Sequence, residues 1–127
     1  MGFVVDWDNV ERTVIMSRVE GEWTWDDLGG QVLDAYMLMT TVDHSVNVIV
    51  DGLATVQTPH GDIVRQLRGL LAQRPKNMGL LILVGASPTI RATSHLMSRL
   101  YPHSGGDLLR FTNSLVLARN EARVQYR

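Results

Sequence analysis

The chain has no cysteine among its 127 residues, so it can form neither a disulfide framework nor a cysteine-ligated metal site. Aromatic residues make up 6% of the sequence, and proline occurs 4 times. Hydrophobic residues still reach 45%, which is enough for a core without covalent or metal staples. These proportions exclude collagen-like repeats and disorder, and the length predicts a single domain over residues 1–127.

Long hydrophobic runs are also missing. The longest, residues 80–84, is far shorter than the roughly 20 apolar residues that a membrane-spanning helix needs. The first residues carry no cationic stretch of the kind that opens a secretory signal. We therefore expect no membrane span and, because cysteine is also absent, a cytoplasmic location.

Motifs for metals and nucleotides are absent. The 4 histidines lie far apart, without the His-x-x-x-His or Glu-x-x-His spacing that places two ligands on one helix face. Neither Gly-x-x-x-x-Gly-Lys nor Gly-x-Gly-x-x-Gly occurs, and the sole lysine is Lys76. We therefore expect neither a bound metal nor a cofactor.

Charge is distributed unevenly along the chain. Residues 1–62 hold eleven acids and two arginines, a net −9, whereas residues 63–127 hold ten cations and two acids, a net +8. If the fold separates the halves, opposite faces carry opposite charge, which favours head-to-tail association, a homodimer or an acidic partner. If it interleaves them, the surface is mixed. The slightly acidic total and the lack of aromatic residues among the arginines disfavour nucleic acid.

The first part of the chain predicts a hairpin and a helix. Residues 3–7 and 13–19 alternate as half-buried strands do, with Asp8-Asn9 as the turn between them. Thr24, followed by two acids, predicts a helix N-terminus. Apolar residues at spacings of three and four then extend the predicted helix to about residue 41.

Three strand–helix units follow in the sequence. Their predicted strands cover residues 46–50, 80–84 and 108–111. The predicted helix starts are Thr58-Pro59, Ser87-Pro88, and Thr112 or Ser114. The element order ββαβαβαβα indicates an α/β domain with a mostly parallel sheet and an antiparallel N-terminal edge strand.

The loop from Asp51 to Gly61 is the first candidate site. Open parallel sheets bind ligands at the carboxyl ends of their strands, and this loop is the longest and most polar there. Asp51 and His60 within it form a candidate acid–base pair, because a carboxylate beside an imidazole fixes its tautomer and shifts its pKa. The alternative is that Asp51 binds backbone amides and His60 is solvated. Thr58 adds a hydroxyl before the helix.

Three further residues are binding candidates. Ser87 follows a strand as a catalytic serine does, but the second glycine of a nucleophile elbow is missing, which favours a helix cap over catalysis. Arg91 begins a cationic stripe with His95 and Arg99, which either binds an anionic group or is a solvated face. Trp23 either packs as a hydrophobic staple or lines a pocket.

Three segments carry a family resemblance: residues 20–27 (EGEWTWDD), 42–46 (VDHSV) and 78–81 (MGLL). With the element order, they resemble the SpoIIAA-like fold of STAS domains, the sulfate transporter and anti-sigma factor antagonist family, and more narrowly its bacterial STAS-like branch. The resemblance implies a regulatory module, because a serine in Asp-Ser-Ser-Gly at a helix N-terminus is the phosphorylation site of the antagonists. The matching stretch here, residues 58–61 (TPHG), has no serine. Related proteins bind lipids or other apolar ligands.

Three functions are therefore open. The leading interpretation is a non-enzymatic regulatory or protein-interaction module that binds a partner protein through residues 51–61. The alternative is a carrier of a small apolar ligand or lipid in a cleft at the strand carboxyl ends, with Arg91 for an anionic head. Its candidate lining residues are Trp23, Tyr36, Met37 and Met39. A small acid–base enzyme using Asp51 and His60 comes third. An apolar cleft would favour the carrier, and a flat polar patch around Thr58 the interaction module.

Overall fold

A computed structural model of the protein describes residues 3–55, 63–85, 87–100 and 108–126. Its elements follow the predicted order ββαβαβαβα. The strands are β1 (Phe3–Trp7), β2 (Val14–Gly21), β3 (Val46–Thr55), β4 (Met78–Val84) and β5 (Leu109–Thr112). The helices are α1 (Trp25–Met39), α2 (Ile63–Ala72), α3 (Pro88–Leu100) and α4 (Leu115–Tyr126).

The described strands form one mixed sheet in the order β1-β2-β3-β4-β5. β1 pairs antiparallel with β2, and every other neighbouring pair is parallel. The prediction of a mostly parallel sheet with an antiparallel N-terminal edge strand is therefore confirmed. No helix in the described part of the chain has the length and apolar character needed to cross a bilayer.

Helix α1 begins at a capping box, as the sequence indicates. The Thr24 hydroxyl accepts from the Asp27 backbone N–H at 3.1 Å, and the Asp27 carboxylate accepts from the Thr24 N–H at 2.9 Å. The helix ends at Met39 with Thr40 as its C-cap, slightly before the predicted residue 41.

Helices cover both faces of the sheet and create two hydrophobic clusters. The larger cluster joins one sheet face to residues of α1, α2 and α3, and the smaller joins the other face to Ala118 and Ala122 of α4. As a result, residues 14–17 of β2 are buried in succession, and the half-buried alternation predicted for this strand is wrong.

The amino-terminal ends of the parallel strands are tied together by asparagine side chains. Asn77, just before β4, donates from Nδ2 to the carbonyls of Met39, Val42 and His44 at 2.9–3.2 Å. His44 in turn shares a 2.7 Å hydrogen bond with the Arg12 carbonyl. These contacts satisfy carbonyls that the end of α1 and the following loop would otherwise leave unpaired.

Asn47 links the sheet to α4 through its side-chain hydrogen bonds. Its Oδ1 accepts from the Leu80 N–H and its Nδ2 donates to the Ala122 carbonyl, both at 2.7 Å, and the side chain is buried. A Cβ at Gly79 would overlap the Asn47 oxygen. The glycine in segment 78–81 therefore has a packing reason.

Candidate ligand-binding site

An apolar cavity of about 70 Å³ lies between the sheet and helices α1 and α2. It sits toward the carboxyl ends of β2, β3 and β4, and its lining extends past β4 to the start of α3. The lining residues are Val19, Trp23, Trp25, Leu28, Val32, Val50, Gly52, Leu67, Leu70, Leu81, Leu83, Val84, Gly85 and Ser87. This is the edge at which open α/β sheets bind their ligands.

Two tryptophans form one wall of this cavity. Trp25 is the first residue of α1 and is 8% exposed, whereas Trp23 precedes the Thr24 cap and is half-buried. Their rings meet edge to face, with centroids 5.3 Å apart and an interplanar angle of 81°. Trp23 therefore lines the cavity, and its interpretation as a binding residue stays a prediction.

Neither indole N–H of this wall has a hydrogen-bond acceptor among the described residues. Both Nε1 atoms are buried from solvent. A buried donor without an acceptor costs roughly 1–3 kcal/mol, because the group gives up its bond to water and receives none in return. The N–H groups of Trp23 and Trp25 are therefore left unsatisfied by the described residues.

Among the described residues, the lining contains no charged side chain. Apart from the two indoles, its polar side chain is that of Ser87, whose carbonyl accepts from the Arg91 N–H at 3.0 Å in the first turn of α3. That bond agrees with the predicted role of Ser87 at the start of the helix. The described part of the lining can bury apolar surface, and it offers no cation to pair with an anion.

The sequence analysis expected Asp51 at the end of a strand, but the structure places it inside β3. β3 continues to Thr55, because its last residues pair with β2. Its neighbours Val50 and Gly52 line the cavity, and since side chains alternate along a strand, Asp51 lies on the opposite face. There Asp51 is 7% exposed and forms an ion pair with Arg18 at 3.3 Å.

The charged residues around Asp51 form ion pairs on the face of the sheet that α4 covers. Arg119 of α4 donates two 2.9 Å hydrogen bonds to the Asp8 carboxylate. These bonds raise the pKa of the Arg119 guanidinium above its ordinary value, and the charge of Asp51 adds to the effect. Asp51 is therefore held by cations and does not enter the candidate site.

The other predicted binding residues have different outcomes. Thr58 and His60 lie outside the described residues, as do residues 56–62 of the predicted loop. Arg91 is exposed on α3 and is not among the residues that line the cavity. The structure therefore brings together Trp23 and Ser87 from the predicted set.

Of the four residues that the sequence predicted as the lining of a carrier, Trp23 lines this cavity, and Tyr36, Met37 and Met39 do not. Met39 is fully buried in the core and Met37 is exposed. The Tyr36 hydroxyl donates to the Leu70 carbonyl at 2.8 Å, and burial raises its pKa to about 12 despite the nearby charge of Arg74. Leu28, Val32 and Leu67 are buried core residues that also line the cavity, and helical spacing carries no signal for a space left between such residues.

A comparison of the chain with models of protein families, with curated proteins and with solved structures finds no match. Function is therefore argued from the geometry of the site.

Proposed function

We propose that this protein binds a small, uncharged, apolar molecule in the cavity between α1, α2 and the sheet. The observation that carries the proposal is an apolar cavity at the carboxyl edge of the sheet, lined in part by two tryptophans whose buried indole N–H groups have no acceptor among the described residues. Concave apolar sites with a few polar groups are the usual form of small-molecule sites.

The chemistry of the lining favours one kind of ligand. Indole is a donor and not an acceptor, so the polar group that matches Trp23 and Trp25 is an acceptor such as a ketone, ester or amide carbonyl. Among the described lining residues a carboxylate would meet no cation, so the loss of its hydration would be costly. An anionic head bound by Arg91 has less support, because Arg91 is exposed and does not line the cavity.

The volume limits the size of the buried group. An engineered apolar cavity of about 150 Å³ stays dry and takes up benzene. The cavity here is about half that volume, at about 70 Å³. A short or branched alkyl group beside a carbonyl is therefore the expected buried part, and a longer ligand would extend past Gly85 and Ser87.

The two other functions inferred from the sequence have weaker support. A partner-binding surface on residues 51–61 would use Asp51, but this side chain is nearly buried and paired with Arg18. The same pairing argues against Asp51 as a general base for His60, since a base must be within reach of the proton that it takes.

Saturation-transfer NMR with two probes of nearly equal size tests the proposal. We expect butanone to receive saturation from the protein and butyrate, measured at the same concentration, to receive almost none. A contradictory result would be equal transfer to both probes, or none to butanone.

A pair of variants shows where the probe binds. Val50→Ile adds one methylene to the cavity wall and is expected to reduce the butanone signal. Val48→Ile makes the same change two residues away, at a buried position that does not line the cavity, and is expected to leave the signal unchanged. Equal effects of the two substitutions would place the butanone elsewhere.

A further inference from the structure

β1 is an edge strand, because the described sheet continues from it on one side only, through β2. The Asp8 N–H donates to the Val14 carbonyl at 2.8 Å, and these two residues continue the antiparallel register of β1 and β2. In an antiparallel pair, every second residue exchanges hydrogen bonds with the neighbouring strand. The even-numbered residues of β1 therefore bond to β2, and the N–H and C=O groups of Phe3, Val5 and Trp7 face outward.

Val5 is the centre of this outer edge. The Trp7 N–H at one end already donates to the Asp6 carboxylate at 2.7 Å. The outward N–H and C=O groups of Val5 pair with no described strand. An edge of this kind is a template on which a further strand can form.

A cleft of about 600 Å³ opens beside Val5, on the face of the sheet that α1 covers. Leu38 lines it and follows Gly29 by nine residues, or about two and a half helical turns, so the two lie on opposite sides of α1. A Cβ at Gly29 would lie 3.8 Å from the side chain of Leu70 in α2. The cleft is therefore on the side of α1 that is turned away from α2. Its described lining residues are Val5, Gln31, Asp34, Met37, Leu38 and Thr41.

An added strand would meet two different surfaces, because its side chains alternate between the faces of the sheet. In antiparallel pairing, the slightly more stable arrangement, the residue opposite Val5 exchanges backbone hydrogen bonds with it. Its side chain points toward the cleft, where Val5, Met37 and Leu38 offer apolar contact. The residues before and after it point to the other face, beside Val4 and Asp6, which are exposed. An apolar residue fits the first position, and lysine or arginine fits beside Asp6.

The surroundings of this edge carry an excess of acids. Residues 3–12 and 25–39, which form β1, part of the following turn and α1, contain six acids and one arginine, so their net charge is 1 − 6 = −5. Arg119 of α4 pairs with one of these acids, Asp8. The remaining excess favours a basic segment over an acidic one.

Two acids lie where such a segment would bind. Asp34 lines the cleft, and Asp6 lies on the edge strand itself. Both are exposed, and neither takes part in the ion pairs that join described residues.

A second copy of this chain fits the edge less well than a basic peptide. A two-fold pairing of two β1 strands would place two α1 helices next to each other. Because α1 contains three acids and neither lysine nor arginine, this arrangement brings like charges together.

We propose that a basic, extended segment of a partner protein binds by adding an antiparallel strand to the outer edge of β1. Its backbone bonds to Val5, an apolar side chain enters the cleft beside Leu38, and its lysine or arginine side chains pair with Asp6 and Asp34. In this mode of recognition, the main-chain hydrogen bonds give affinity and the alternating side chains give specificity. The edge does not depend on the ligand cavity, which lies on the α2 side of α1.

Fluorescence anisotropy with a labelled peptide of alternating lysine and valine tests the proposal. We expect saturable binding at 0.1 M salt that weakens at 1 M salt, because the Debye length decreases from about 10 Å to about 3 Å. The same peptide with glutamate in place of lysine should not bind. Absence of binding by the lysine peptide, or equal binding by the two, would overturn the proposal.

Backbone methylation separates strand addition from attraction by charge alone. N-methylation of the valines removes the N–H groups that would bond to β1 and leaves the charge of the peptide unchanged. We expect the methylated peptide to bind about tenfold more weakly or worse, since each lost hydrogen bond costs roughly 1 kcal/mol. Equal affinities of the methylated and unmethylated peptides would refute strand addition.

A pair of substitutions at Val5 tests the same bonds from the side of the protein. Val5→Pro removes an N–H that faces outward, so the hydrogen bonds between β1 and β2 remain and the fold should persist. We expect this variant to lose peptide binding. Val5→Ala keeps the N–H and should still bind, with lower affinity. Normal binding by a folded Val5→Pro variant would contradict the proposal, and the methylated peptide tests the bond on the wild type if that variant does not fold.

Charge reversal at the cleft has a matched control. We expect Asp34→Lys to weaken binding of the lysine peptide roughly threefold to fivefold, because the charge lies at an exposed site. Asp43→Lys makes the same change at an exposed position that does not line the cleft and should leave the affinity unchanged. Equal effects would show that net charge alone decides binding. Sedimentation velocity of the wild type should give a monomer, and a dimer that the peptide does not dissociate would identify a second copy as the partner and overturn the proposal.

Discussion

The two ends of the parallel strands differ in whether their buried polar groups have hydrogen-bond partners. At the amino-terminal end, Asn47 and Asn77 give hydrogen bonds to helix-end and loop carbonyls, and Asn47 also accepts one from the sheet. At the carboxyl end, Trp23 and Trp25 line an apolar cavity, and their buried N–H groups have no acceptor among the described residues. Since native proteins satisfy nearly all buried polar groups, the difference gives the first end a structural role and supports the proposal of a ligand site at the second.

The largest effect is expected from Gly79→Ala at the amino-terminal end. The added methyl group overlaps the Asn47 oxygen, so this side chain must move and lose its bonds to the Leu80 N–H and the Ala122 carbonyl. We expect a loss of about 3 kcal/mol in the free energy of unfolding, because both groups are buried. Urea denaturation measures it.

Gly30→Ala is the matched control for that substitution. Nothing lies within 4 Å of a Cβ at this exposed position of α1. The change should therefore raise stability by about 0.5–1 kcal/mol, as alanine does in a helix interior. If both glycine substitutions destabilise equally, the packing argument for Gly79 fails.

The next effect concerns Tyr36, the polar aromatic side chain of α1 that does have an acceptor. Its pKa is about 12 in the folded protein, against an ordinary value of 10.0, so its contribution to stability is full below pH 10 and is lost as the pH rises toward 12. The loss is about 2–3 kcal/mol, at about 1.4 kcal/mol per pH unit.

Tyr36→Phe should separate this effect from other alkaline transitions. At neutral pH, the variant loses the hydrogen bond to the Leu70 carbonyl and about 1 kcal/mol. Between about pH 10 and 12 its stability should fall less steeply than that of the wild type. Parallel slopes in urea denaturation at several pH values would show that Tyr36 does not titrate as stated.

The smallest effect is expected at the cavity, where a substitution should raise the free energy of unfolding instead of lowering it. Val50→Ile fills space at the carboxyl end and should stabilise the protein by about 0.5–1 kcal/mol, roughly the value of one buried methylene. Val48→Ile adds the same group where no cavity exists and should cost about 1 kcal/mol or more. If thermal denaturation shows that both substitutions stabilise the protein, or that both destabilise it, the result would argue against an empty space beside Val50.

Local signals predicted most of the fold. Two helix starts could be predicted because their hydrogen bonds join residues close together in the sequence. These are the capping box of Thr24 and Asp27 and the start of α3 at Ser87-Pro88. The apolar run at residues 80–84 needs cover on both faces, which agrees with a central strand. Such features depend little on the rest of the molecule.

The end of β3 and the cavity could not be predicted in this way. Asp51 and Gly52 are poor strand formers, but Asp51 pairs with both β2 and β4, and pairing with β2 resumes at Ala54, so the strand continues past them. Arg18 lies 33 residues before Asp51, and no local pattern links the two. Periodicity identified the side chains that face inward, but the space between α1, α2 and the sheet depends on how helices and strands pack.

The most direct test is the ¹⁵N–¹H spectrum of the indole groups with increasing butanone. The three tryptophans give three N–H signals, which Trp→Phe variants assign. We expect saturable shifts for Trp23 and Trp25, whose N–H groups gain an acceptor, and no shift for Trp7, which does not line the cavity. Signals of Trp23 and Trp25 that stay fixed, or that move no more than that of Trp7, would contradict a ligand site at this end of the sheet.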